Sequence, residues 1–154
     1  MINNRIVLNV DAKYINDLIP VLDNNNYFEL SNQNCPRKEL FNFALALGYK
    51  RGYPTELEKR VSLIRREIIA NENYLYMSVF FKESLSDDLD KIDMITDENK
   101  VYGVVENYVN TGLSVLKDYL SDMNEEQLLF SLMSEMDEAY NEYKEDHLSD
   151  NKSI

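Results

Sequence analysis

Cys35-Pro36-Arg37-Lys38-Glu39-Leu40-Phe41-Asn42-Phe43-Ala44-Leu45-Ala46-Leu47-Gly48-Tyr49-Lys50-Arg51-Gly52 is the stretch around which the rest of the sequence is organised. Leu40, Phe43, Ala44 and Leu47 fall at i, i+3, i+4 and i+7, and Phe41 and Leu45 widen that stripe. Pro36 suits the first helical position, where its missing N–H is no loss, and Gly48 suits the left-handed residue just past the end. The spacing predicts a short helix, apolar on much of its girth and central to the fold. Lys50 and Arg51 give it a basic exit.

Toward the C-terminus, Tyr49 to Pro54 is a turn by composition. Thr55 with Glu58 forms a capping box, and Leu57, Val61, Ile64 and Ile68 behind it predict a second helix. Leu75, Met77, Val79 and Phe81 alternate as a strand would, but Ser78, Val79 and the continuation through Lys82-Glu83 favour helix. Ser84 to Asp93 is acidic with Leu85, Leu89 and Ile92 at helical spacing, so it is either a short helix or a loosely held loop. Thr96 or Asp97 caps a long helix along Val101, Val105, Tyr108, Gly112, Val115 or Leu116, and Tyr119 or Leu120. Gly103 and Gly112 within it each cost about 1 kcal/mol relative to Ala, so a packing reason is expected for both. Asn124 with Gln127 opens a last helix, with Leu129, Leu132, Met133, Met136, Tyr140 and Tyr143 on one face. Its carboxylates Glu125, Glu126, Glu135, Asp137, Glu138 and Glu142 are expected largely in solvent.

Toward the N-terminus, Arg5 to Val10 is short and β-branched, which predicts a strand. Asp11 then caps a helix with Ile15, Leu18, Ile19 and Leu22 on one face, kinked or ended by Pro20. Asp23-Asn24-Asn25-Asn26 and Ser31-Asn32-Gln33-Asn34 read as polar breaks, with Tyr27, Phe28 and Leu30 between them folding back onto the core. The fold class is mainly α: a single compact domain over 1–146, about five to seven helices with at most one short N-terminal strand. Residues 147–154 are expected to form a flexible acidic tail.

Composition narrows the function classes. One cysteine and one histidine in 154 residues exclude an internal disulfide and the usual zinc sets. No apolar run approaches the ~20 residues of a membrane span, and the N-terminus lacks signal-peptide features, so a cytoplasmic protein is expected. His147, the one histidine, lies in the expected tail, which leaves no base for Ser–His–Asp or Cys–His catalysis. No glycine-rich loop precedes Lys-Ser or Lys-Thr. Asp87, Asp88, Asp90 and Asp93 lack the glycine and terminal Glu of a calcium loop. No catalytic residue, metal or cofactor is expected.

Charge is unevenly placed. Residues 1–70 carry 10 Lys/Arg against 8 Asp/Glu, and residues 71–154 carry 6 against 20. Between Arg37 and Arg66 stand eight Lys/Arg against three acids. Lys50, Arg51, Lys59, Arg60 and Arg66 are therefore candidates for contact with a partner or nucleic acid, unless they pair with carboxylates of this chain. Met133, Met136, Tyr140 and Tyr143 are candidates for a protein interface, unless they close the domain's own core.

Three blocks carry a family resemblance. Phe41-Asn42-Phe43-Ala44-Leu45-Ala46-Leu47-Gly48-Tyr49-Lys50-Arg51-Gly52 resembles a block of the small bacterial proteins called Dnd system-associated protein 4. Ser62-Leu63-Ile64-Arg65-Arg66-Glu67-Ile68-Ile69 resembles that family's next block. Val105-Glu106-Asn107-Tyr108-Val109-Asn110-Thr111-Gly112-Leu113 is similar to its third, Glu-x-Tyr-x-Asn-x-Gly-Leu. The resemblance touches residues ~41–120 and leaves the last helix without a counterpart. It implies a small, mostly helical accessory protein of prokaryotic antiphage systems, found beside DNA-phosphorothioation genes and without assigned enzymatic activity. More loosely, the chain resembles the small middle subunit of Lamassu-type systems, which accompanies an SMC-like ABC ATPase and a nuclease effector.

The expected function is a non-enzymatic accessory or scaffold subunit that bridges or regulates a larger DNA-acting ATPase or nuclease of the same operon. DNA is met only through that complex, and no membrane is involved. Two alternatives stay open: a DNA-binding regulator using residues 37–66, and an acidic DNA mimic that inhibits an enzyme.

Overall fold

The computed structural model describes residues 5–25 and 36–150. Tyr27, Phe28, Leu30 and Cys35 lie outside the described residues. The order is β1 (Val7–Asp11), α1 (Ala12–Asn25), α2 (Arg37–Arg51), β2 (Arg60–Arg65), α3 (Asn73–Phe80), α4 (Glu98–Asp122) and α5 (Glu125–Asp150). Short 3-10 segments at Arg66–Glu72 and Leu89–Thr96 and a π turn at Phe81–Leu85 join these elements. The mainly helical class expected from the spacing is what the chain adopts. By contact the chain forms two compact units, up to Lys117 and from Asp118 on.

The first unit corrects the expected Thr55–Ile68 helix. A strand at Arg5–Val10 cannot stand alone, because its N–H and C=O groups need a partner. Residues 60–65 supply it: β1 and β2 pair antiparallel, Val7 with Arg65 and Asp11 with Arg60, with an irregularity between Leu8 and Asn9. The N–H groups of Arg66 and Ala12 extend the ladder to the carbonyls of Ile6 and Lys59, each at 2.8 Å. Leu8, Val10 and Ile64 of the pair are buried. Thr55 and Glu58 do not cap each other; the Thr55 N–H donates to the Asn107 carbonyl at 3.0 Å and the Glu58 N–H to Asp11 Oδ2 at 2.8 Å. A second strand therefore stands where helix was expected.

Asp11 serves both elements. Its Oδ1 accepts the Lys13 N–H at 3.3 Å, as a helix cap does, while Oδ2 takes Glu58. Burial opposes its charge, yet those backbone donors outweigh burial and hold its carboxyl below the ordinary range. Helix α1 neither ends at Pro20 nor breaks at Asp23, and runs on to Asn25 with Leu18, Ile19 and Leu22 buried.

Helix α2 starts one residue later than the proline rule suggested, with Pro36 as the cap residue. It also ends four residues later than expected: Gly52, at φ +81°, is the left-handed terminator, while Gly48 stays helical and buried. Gly48 is needed for packing instead. A Cβ there would lie 1.8 Å from the Tyr108 carbonyl oxygen, and one on Gly112 would lie 1.7 Å from that of Ala44. Helices α2 and α4 thus cross backbone to backbone, which only small residues permit. Gly103 has no such neighbour, so the packing reason expected for it is absent.

Helix α4 is the centre of the first unit. From Val105 to Leu113 every residue but Asn107 is buried. Asp97 Oδ1 caps it through the Asn99 N–H at 3.1 Å. Against it pack edge-on ring pairs, Tyr76 with Tyr102 at 6.2 Å and Tyr49 with Tyr108 at 5.4 Å. Burial raises the phenols of Tyr76, Tyr102 and Tyr108 above the ordinary 10.0, with further help from the charges of Glu72, Glu98 and Glu83 respectively. The unfolded chain ionises near 10, so the stability these phenols contribute is complete below pH 10 and is lost as pH rises through their folded values. We expect the melting temperature to fall above pH 10, with three of the 11 tyrosines withheld from phenolate absorbance until the chain unfolds. Full tyrosine titration near pH 10 ahead of melting would contradict this.

The second unit holds the end of α4 and helix α5. Asn124 and Gln127 exchange bonds, the Gln127 N–H to Asn124 Oδ1 at 2.9 Å and the Asn124 N–H to Gln127 Oε1 at 3.1 Å. This is the expected capping box. Tyr119 donates to Glu135, and Leu128 and Leu132 are buried. The helix continues past His147 to Asp150.

Candidate functional site

The chemically richest cluster lies along α4, and it turns inward. Glu106 is fully buried. Its Oε2 accepts from Arg5 Nη2 at 2.8 Å and Arg60 Nη1 at 2.6 Å, and its Oε1 from the Asn9 N–H at 2.6 Å. One turn on, Asn110 Nδ2 donates to the carbonyls of Thr55 and Glu56, each at 3.1 Å. Thr111 Oγ1 donates to the Tyr53 carbonyl at 2.9 Å and meets Thr55 Oγ1 at 2.8 Å. Tyr108 donates to Glu83 Oε2 at 2.5 Å. These side chains hold β1, β2 and the 53–56 segment against α4, which is a structural task. The sequence carried a signal for them, since Glu106 and Asn110 interrupt an apolar helix one turn apart.

An open cleft of about 470 Å³ lies beside this cluster, lined by Arg60, Phe80, Met94, Lys100, Gly103 and Asn107 among others. Its cations are committed: Arg60 to Glu106 at 2.6 Å, Lys91 to Asp88 at 2.6 Å and Lys100 to Asp97 at 3.6 Å. Among the described residues, no group of three or more His, Cys, Asp or Glu is placed to hold a metal ion. No helix among them is long and apolar enough to cross a membrane.

The basic candidates do not form one uncommitted face. Arg60 is bound to Glu106 and Arg66 to Glu98. Arg37 grips Asp23 through two bonds of 2.8 Å, and Lys38 pairs with Glu72 at 2.9 Å. Lys50 and Arg51 occupy the last turn of α2, where cations complement the helix dipole, and neither is without a partner. Lys59 is exposed and precedes β2. Lys59 and Arg66 flank β2 at its two ends, where a helix had been expected to carry both.

Helix α5 presents the other candidates together. Met133, Met136, Tyr140 and Tyr143 are 64, 66, 62 and 60% exposed. Leu129 and Phe130 extend the patch at 40 and 74%. The expected face was divided: Leu132 is buried with Leu128, on a line roughly 90° around the helix from the Met/Tyr ridge. These aromatic and Met side chains therefore do not close a core among the described residues. Isolated exposed apolar residues are ordinary, whereas these stand together along one side of α5.

A family model described as DNA sulphur modification system-associated protein 4 matches residues 12–151. The match bears out the resemblance and extends it at both ends, taking in α1 and α5. No curated protein and no solved structure matches the chain.

Proposed function

The chain belongs to the DNA sulphur modification system-associated protein 4 family, and on that basis we propose that it is a non-catalytic accessory subunit of an antiphage defence complex. It docks on a larger DNA-acting protein of the same operon, an SMC-like ATPase or a nuclease, and meets DNA only through that partner. The observation that carries the reading is the exposed ridge of α5, Met133, Met136, Tyr140 and Tyr143. Met and Tyr are enriched where proteins meet and give large contact area with few charges to desolvate.

The direct DNA-binding reading has less support, because Arg37, Lys38, Arg60 and Arg66 are paired with carboxylates of this chain and the net charge is −12. A DNA mimic has no use for an apolar ridge between its carboxylates.

The test is affinity capture of the full chain co-expressed with the neighbouring genes of its system. We expect one large partner to be retained. Met136→Ser/Tyr140→Ser should weaken capture at least tenfold, since each anchor is worth about 1–2 kcal/mol or more, with an unchanged melting temperature. Nuclease, ATPase or protease activity in the purified chain alone would overturn the reading, as would the absence of any co-encoded partner.

A further inference from the structure

Leu129, Met133, Met136, Tyr140 and Tyr143 are separated by four, three, four and three residues, the spacing that keeps side chains on one seam of a packed helix. All five are exposed. The seam is about 20 Å long and covers two heptads, shorter than the three to four that sustain a free-standing coiled coil. A seam of this length works as a set of anchors against a surface that another protein supplies.

The charges around the seam select that surface. Helix α5 carries nine Asp/Glu against one basic residue, Lys144. At 100° per residue, Glu126, Asp137 and Lys144 border the open side of the seam, while Glu135, which accepts from Tyr119, and Asp146 fall on the line of Leu128. A second copy would bring two such helices within a Debye length of about 8–10 Å, where like charges repel. Nucleic acid and anionic lipid fail for the same reason. Lys and Arg flanking an apolar helical seam would turn the repulsion into attraction and speed the encounter.

We infer that the α5 seam pairs with an amphipathic helix of another protein whose apolar stripe is flanked by Lys and Arg. This deepens the accessory reading and rests on it only for the existence of a partner. Its test does not use that partner, so the two fail separately.

The probe is a pair of 21-residue synthetic helices with the same Leu seam, one carrying Lys and the other Glu at every flanking position. Binding to the full chain is followed by fluorescence anisotropy, and the state of the chain alone by sedimentation velocity. We expect the Lys-flanked helix to bind at least tenfold more tightly than the Glu-flanked one. Met136→Ser/Tyr140→Ser should weaken that binding at least tenfold while far-UV circular dichroism and melting stay unchanged. The inference is overturned if the two helices bind alike, if neither binds, or if the double variant binds the Lys-flanked helix undiminished. Dimerisation of the chain that the double variant abolishes would also overturn it, in favour of a second copy.

Discussion

Gly112→Ala is expected to destabilise the protein by at least about 3 kcal/mol, although Ala is the better helix former by about 1 kcal/mol. The added Cβ would lie 1.7 Å from the Ala44 carbonyl oxygen and 2.9 Å from its Cα. Those are backbone atoms, so no rotamer change relieves the clash and the helices must separate. Gly48→Ala meets the same obstacle from the other side, 1.8 Å from the Tyr108 carbonyl oxygen, and should cost a similar amount. Gly103→Ala is the internal control. It sits in the same helix as Gly112 with no atom near the new Cβ, so it should stabilise by about 0.5–1 kcal/mol. In thermal melts the first two should lose roughly 6–12 °C and the third should gain a few. Equal effects at Gly103 and Gly112 would mean that the crossing of α2 and α4 is not close-packed.

Glu106→Ala is expected to cost about 3–5 kcal/mol, the usual penalty for removing one partner of a buried charge pair. It leaves Arg5, Arg60 and the Asn9 N–H without their shared acceptor. Glu106→Gln preserves shape and one acceptor but removes the charge, and should cost about 1.5–3 kcal/mol. The guanidinium sides are unequal. Arg5 is 16% exposed and Arg60 49%, so Arg5→Ala should be the worse of the two and Arg60→Ala should stay near 1 kcal/mol. Urea titration of the four variants gives the ranking. If Arg60→Ala proves as damaging as Glu106→Ala, the carboxylate is not the hub of this cluster.

Helices α2, α4 and α5 were legible because their apolar residues recur at three and four over many positions, a signal that local geometry generates. The segment around Val61 and Ile64 misled for a different reason. Two apolar residues three apart fit a helix face, and Thr55 with Glu58 fits a cap, but the donors and acceptors that decide the matter belong to Asp11 and Asn107. Local pattern cannot register partners 47 and 52 residues away in sequence. Gly48 shows the same limit: as a sequence signal it reads as a stop, yet the carbonyl of Tyr108 makes it a contact residue, and Gly52 stops the helix instead. At the candidate interface the residue types were legible and the burial was not. Leu128 and Leu132 lie one residue out of step with Leu129 and Met133, so a small rotation of α5 decides which line is covered.

The bonds from Arg5 and Asn9 to Glu106 span 101 and 97 residues, and that interval has a meaning for synthesis. At about 5–20 residues per second, a ribosome needs roughly 5 to 20 seconds to pass from Asn9 to Glu106. For that time the nascent N-terminus emerges without the carboxylate that neutralises Arg5 and without the acceptor for Asn9. Its strand can pair with β2 once residues 60–65 have emerged, but that pair has no buried carboxylate to hold it against α4. A transcript broken before codon 106 would leave every copy in that condition. Chains that reach the block containing Glu106 can neutralise Arg5 and Arg60 and fix the β1–β2 pair onto α4; shorter ones have the strands but not that anchor.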